Sequence, residues 1–187
     1  PGIGAYDMSF YRTLPGADGN EYKCIEIMII EILQDGFFAA IAAIGFSCIS
    51  QPPMKAYPVC ALLAAVGHSI RFILMSNLVG MNIVMACLFA SLSIGLLSIP
   101  MAKYIHCPAE TFSFPSLLPM IPGMYAYRTI QSLMFCLLNK DESHFMHYFY
   151  LLAYNGLTTL SVITIMVIGV TVPIFIFKTL SFKVTKM

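Results

Sequence analysis

Long apolar runs broken by short polar stretches make up most of this chain. The runs lie at about 25–49, 57–78, 83–101, 112–138 and 145–177. Between them come QPPMK (51–55), an uncharged turn from Ser76 to Asn82, a loop at 103–111 and NKDES (139–143). A helix needs roughly 20 apolar residues to cross the hydrocarbon layer, and in lipid every backbone amide must be satisfied within the fold. The pattern predicts an all-α integral membrane protein with five transmembrane helices. The last run exceeds one bilayer. Its lead (Phe145, Tyr148, Phe149, Tyr150, Tyr154) has the aromatic character of a membrane interface, so the crossing itself is expected from Tyr154 to Phe177. Residues 1–27 are polar and glycine-rich, without the basic stretch and apolar core of a signal peptide. They read as a tail, truncated or carrying added residues, with Met28 as a sensible start and 28–187 as the membrane domain.

The fourth run differs from the others. FSFPSLLPMIPGMYAYRTIQ (112–131) holds Pro115, Pro119 and Pro122, with Gly123 directly behind. Each proline removes an N–H and crowds the preceding turn, at about 3 kcal/mol in a helix interior. The residues before them (Phe114, Leu118, Ile121) are biased toward extended backbone. The expectation is a fourth helix broken at PxxPG, with a new helix starting at Pro122-Gly123. Backbone released at membrane depth must be buried in protein or line a cavity. A helix N-terminus there suits an anion, and broken helices mark transporter binding sites. The plain alternative is a hinge with no ligand.

Composition supports the membrane assignment: 59% hydrophobic and 10% charged, against about 25% charged in soluble domains. A net charge of +1 argues against electrostatic nucleic-acid binding as a main role. The six cysteines form no CxxC, so they read as small packing residues. No nucleophile elbow, P-loop or zinc-protease motif is present, and neither enzyme activity nor a cofactor is expected. His144 and His147 have metal-ligand spacing but lack further ligands in order, so no metal site is assigned.

Few charges lie inside the runs, and each therefore matters. Arg71 and His68, three apart on the second run, share a helical face. An arginine near the centre of a span costs roughly 2.5–3.5 kcal/mol and faces the interior or a cavity. Arg71 could clamp a substrate carboxylate, or pair with Asp35 or Glu31 to fix packing. His68 could relay protons or be a satisfied core residue. Asp35 could accept a coupled proton or merely neutralise Arg71. Tyr125 and Tyr127 follow the break, where a phenol could meet a ligand or fill the core. Lys55, Lys103, Lys178, Lys183 and Lys186 outnumber Lys140, Arg12 and Lys23 on the other side. The positive-inside rule then puts the N-terminus outside and the C-terminus in the cytoplasm.

With these residues in view, the chain resembles the threonine/serine exporter superfamily, and most of all the small YjjB-type subunit that works beside a larger YjjP-type one. The likeness runs through QDGFFAAIAAIGF (34–46), CALLAAVGHSIRFILM (60–75) and FSFPSLLPMIPGMYAY (112–127), and ends weakly at Asn155, Gly169 and Pro173. It implies secondary export from the bacterial inner membrane. The implied substrates are serine and threonine for single-chain members, and succinate for the two-component pair. It also implies a second membrane half, from the larger subunit or further copies of this chain. Asp35, Gly67, His68, Arg71, Pro119, Pro122, Gly123, Tyr127 and Asn155 fall at its motif positions. The resulting expectation has Arg71, Pro119, Pro122, Gly123, Tyr127 and Asn155 around the substrate, with Asp35 and His68 handling a coupled proton. The rival expectation is a non-transporting scaffold for the larger subunit.

Overall fold

A computed structural model describes residues 20–76, 79–138 and 141–177, with side chains from Glu26 onward. The tail through Gly19 and the lysines at 140, 178, 183 and 186 lie outside the described residues. Among the described residues six α-helices follow one another: α1 (Asn20–Ser50), α2 (Tyr57–Met75), α3 (Ile83–Ile105), α4 (Glu110–Leu117), α5 (Gly123–Leu138) and α6 (Glu142–Ile176). Tight 3-10 turns occupy Met54–Ala56 and Leu118–Met120. Among the described residues there is no strand. Among them four stretches, against the five crossings expected from the sequence, are long and apolar enough to cross a membrane: Glu26–Ser50, Met54–Met75, Ile83–Ile105 and Glu142–Ile176. The first helix starts at Asn20, so the end of the polar leader is already helical.

Small residues bring the helices together. Gly36 on α1 faces Ala65 and Ser69 on α2, and Ala39, Ala43 and Ala64 extend that seam. A Cβ on Gly67 would stand 2.5 Å from the Ile94 side chain of α3. Between α3 and α6, Gly95 meets Val170 and Pro173, while Gly169 meets Leu88 and Ser91. With no hydrophobic drive between helices in lipid, such close approach supplies the packing. Residue numbers rise together along α3 and α6, so these neighbours run parallel. The α4–α5 excursion makes that connection possible. Between them Phe112, Leu63, Ile94, Met120, Val162 and Val170 are fully buried.

The proline-rich stretch leaves helical geometry at Ile121, after the 3-10 turn. Pro115 sits inside α4 and Pro119 inside the following 3-10 turn. Leu118, before Pro119, keeps helical angles (φ −55°, ψ −40°), and Ile121 alone of the three turns extended, at ψ 130°. The lost amides are absorbed by tightening: the Ile121 amide reaches the Leu118 carbonyl three residues back, as a 3-10 turn requires. Helix resumes at Gly123, with the Pro122 carbonyl accepting from the amides of Tyr125 and Ala126. The Ser116 hydroxyl lies 2.9 Å from the Cys60 carbonyl of α2 and 2.6 Å from the Phe112 carbonyl of its own helix, and its single hydrogen is shared between the two.

The sequence splits the last run into an interfacial lead and a span from Tyr154, but α6 is one helix of 35 residues. At 1.5 Å per residue it is about 52 Å long, well beyond a hydrocarbon layer of about 30 Å. Gly169 lies opposite Leu88 and Ser91 near the start of α3, so the first half of α6 runs on past α3. There it pairs with α5 as an antiparallel arm. Thr129 lies against Gly156, the Phe135 ring stacks on Tyr148 at 4.9 Å, and the Cys136 thiol approaches the Phe145 carbonyl.

Candidate functional site

The charged residues of the first two spans converge where the fourth segment breaks. Asp35 precedes Gly36, at the close contact of α1 with α2, so its carboxylate is brought against the second helix. His68 and Arg71 lie on the same face of α2. His68 Nδ1 is 3.1 Å from Asp35 Oδ2 and 3.3 Å from Arg71 Nη2. Arg71 Nη1 donates to the Met120 carbonyl at 3.2 Å. Cys87 of α3 stands beside the same guanidinium.

Arg71 therefore has two duties. The extended Ile121 carries the following amides away from the end of the 3-10 turn, which leaves the Met120 carbonyl without a helical donor. A cation at the C-terminal end of a helical segment is favourable, and the guanidinium fills that gap. The sequence-based alternative of a direct Arg71–Asp35 pair is replaced by a relay, in which His68 stands between the two. Asp35 and Arg71 carry opposite unit charges, so with a neutral imidazole the group sums to zero. This is how buried charge becomes tolerable.

One ring nitrogen serves both neighbours. With a hydrogen on Nδ1 the ring donates to the Asp35 carboxylate; without it, Nδ1 accepts from Arg71. It cannot do both at once. The His68 side chain is 7% exposed and that of Asp35 35%, so the histidine is enclosed while the carboxylate keeps accessible surface. His68 Nε2 is buried and has no hydrogen-bond partner among the described residues.

Other expected site residues lie apart from this group. Gly123 is exposed, and its amide donates to the Ile121 carbonyl at 2.8 Å, so the N–H expected to meet an anion is already engaged. Pro119 is half-buried in the 3-10 turn and Pro122 is buried at the break. Tyr127 points outward from α5, 62% exposed. Asn155 is buried on α6 beside Gly156, which faces α5, and its side-chain amide donates to the Leu151 carbonyl at 2.7 Å. Among the described residues no three His, Cys, Asp or Glu side chains gather as metal ligands; His144 meets Asp141 at 3.6 Å and His147 lies edge-on to Tyr148. The sequence reading missed the Met120 carbonyl. Its signal was available, since a break at Pro122 must strand a carbonyl nearby.

Comparison with known proteins gives a family. Residues 35–176 match the family model described as "Threonine/Serine exporter, ThrE". An uncharacterized protein of Haemophilus influenzae is 38% identical over 109 residues, which cover 58% of this chain and 36% of that relative. The chain thus spans about a third of the relative's length. No solved structure matches.

Proposed function

The chain belongs to the threonine/serine exporter family, and from that premise we propose that it is a membrane subunit of a secondary exporter of hydroxy amino acids such as serine and threonine. The observation that carries this reading is the charge-neutral group of Asp35, His68 and Arg71 at the helix break. Both charged residues contact one nitrogen atom, so carboxylate and guanidinium are no farther apart than two hydrogen bonds end to end. An α-amino acid zwitterion is the small molecule that matches such a pair. Its carboxylate would take free N–H groups of Arg71, in the geometry guanidinium prefers, and its ammonium would turn to Asp35.

Succinate is the second substrate class, suggested by the likeness to the two-component members. It would bring a second carboxylate to a site that already holds Asp35, which counts against it unless that residue is protonated. Proton coupling is assigned to Asp35, with His68 orienting it. The remaining wall of the path, facing Tyr127 and the outer side of α5, would come from the larger subunit or a second copy. In this reading α4, its turn and α5 together make a fifth crossing of the bacterial inner membrane, with the N-terminus outside and the C-terminus cytoplasmic.

The test is efflux of labelled serine, threonine and succinate from cells expressing this chain alone, with the larger subunit, and with that subunit plus Arg71→Ala. Efflux that needs this chain and fails with the variant supports the reading. Efflux from the larger subunit alone, indifferent to Arg71, would make the chain a scaffold and its buried charges structural.

A further inference from the structure

We propose that the outward face of α5 docks a membrane helix of the larger subunit, and that this helix carries a carboxylate at the depth of Arg128. The proposal deepens the preceding reading, from which it takes the larger subunit and the passage of α5 through the bilayer. It adds which face is covered and what chemistry covers it.

α5 turns one side to α6 and leaves the other open. Thr129 lies against Gly156 of α6, and Ser132 and Cys136 are buried on the same side. Away from them Tyr127, Gln131, Met134 and Leu138 recur at helical spacing, and all four are exposed. Arg128 borders this row and is half-buried, with Met124 and Gln131 about one turn to either side of it.

This face is too polar for lipid. Arg128 makes no hydrogen bond or ion pair with another described residue, whereas Arg71 is engaged by His68 and the Met120 carbonyl. Arg128 stands only about 6 Å along the axis from the middle of the crossing formed by 110–138. An arginine inside the bilayer faces protein or a cavity and takes a partner. Gln131 adds an amide and Tyr127 a phenol on the same side, while Met124 and Met134 supply adaptable packing around them.

The acids of this chain do not supply the missing partner. Asp35 is held by His68 between α1 and α2. On the arm the nearest described acids, Asp141 and Glu142, lie beyond the end of α5, and Leu138 is already about 15 Å along the axis from Arg128. Asp141 also meets His144. A second copy meeting this one through the same face fails for another reason. Copies inserted the same way round are related by an axis along the membrane normal, so equal depths meet and Arg128 confronts its own counterpart. Like charges repel strongly where water is scarce. The cover is therefore a helix of different sequence, with Asp or Glu placed to take the planar guanidinium through paired hydrogen bonds.

Photo-cross-linking in intact membranes tests this, with the full chain and the larger subunit co-expressed. The probe, p-benzoylphenylalanine, takes the place of Tyr127 or Met134, and for comparison that of Phe38, which is exposed on α1. The α5 probes are expected to join this chain to the larger subunit in far higher yield than the α1 probe. Arg128→Glu should lower that yield at least about tenfold, as for a buried charge left without its partner, and Arg128→Lys should retain most of it. Exchange of the facing acid for lysine in the larger subunit should restore the adduct of the glutamate variant. Adducts that join two copies of this chain, α5 yields no higher than that of the α1 probe, or yields indifferent to Arg128→Glu each overturn the proposal. The probes beside native Arg128 locate the covered face even if the glutamate variant misfolds. Cross-linking reports contact whether or not anything is transported, so adducts without efflux would refute the exporter reading and leave this surface standing.

Discussion

Arg71 on α2 and the Met120 carbonyl, at the last residue of the 3-10 turn, are joined by a hydrogen bond of 3.2 Å that closes the gap opened by the break at Ile121–Pro122. The charged residue that could hold a substrate is thus also the one that holds the broken segment in place. A ligand that draws on the guanidinium acts on the break directly, through one side chain.

Replacing Arg71 separates these duties. Arg71→Ala strands the Met120 carbonyl and leaves Asp35 uncompensated; with hydrogen bonds to charged groups worth about 1.5–3 kcal/mol, the purified protein should melt measurably lower. Arg71→Lys keeps the charge but not the planar fork. It should recover much of the melting temperature while efflux stays at least tenfold below wild type. Full efflux by the lysine variant would show that the fork is not needed.

Pro122→Ala gives the break an amide and a residue that tolerates helix. Ile121, no longer followed by proline, is freed from its bias toward extended backbone. Helical content should rise by circular dichroism while efflux falls, since joining the two helical pieces would remove the irregular backbone beside Arg71. Unchanged efflux with higher helicity would assign the break to packing alone.

The α3–α6 seam should be intolerant of added volume. A Cβ at Gly169 would collide with the Ser91 hydroxyl and stand 3.1 Å from the Leu88 carbonyl, which is backbone and cannot swing away. Gly169→Val should cost about 1–3 kcal/mol, as overpacking does, or prevent assembly. Gly45 has nothing within 4 Å of its would-be Cβ. Gly45→Ala should be neutral or raise stability by up to about 1 kcal/mol through helix propensity. Thermal melting of both variants in one detergent checks the pair.

Two substitutions test how α4 is held. Ser116→Ala removes the tie to the Cys60 carbonyl and should cost about 1 kcal/mol. Phe112, fully buried in the core, should cost about 3–5 kcal/mol as Phe112→Ala. Equal effects would mean that α4 is held by its hydroxyl more than by its ring.

Sequence by itself determined the membrane class and the helical content. It placed five apolar runs, of which four are helical stretches long and apolar enough to cross among the described residues, and set the break near Pro122. These follow from local causes: the length and apolarity of a run, and a proline that removes one amide and biases the residue before it. His68 and Arg71 were legible for the same reason, because their spacing along one helix fixes a shared face.

Tertiary structure alone decided the rest. Whether Pro115 and Pro119 interrupt their segment depended on what packs around them: both stay within helical turns, and Ser116 between them bonds across to α2. Whether Arg71 met Asp35 or the backbone depended on how closely α1 approaches α2 at Gly36, a distance between residues far apart in the chain. Gly123 carried the sequence marks of an anion site, yet its amide is spent on Ile121. Tyr127 and Asn155 share motif status with Arg71, but the parallel packing of α6 on α3 carries them onto the arm. Periodicity fixes which residues share a helix face. Which faces meet depends on contacts between helices, and those are set by the fit of side chains that no local pattern records.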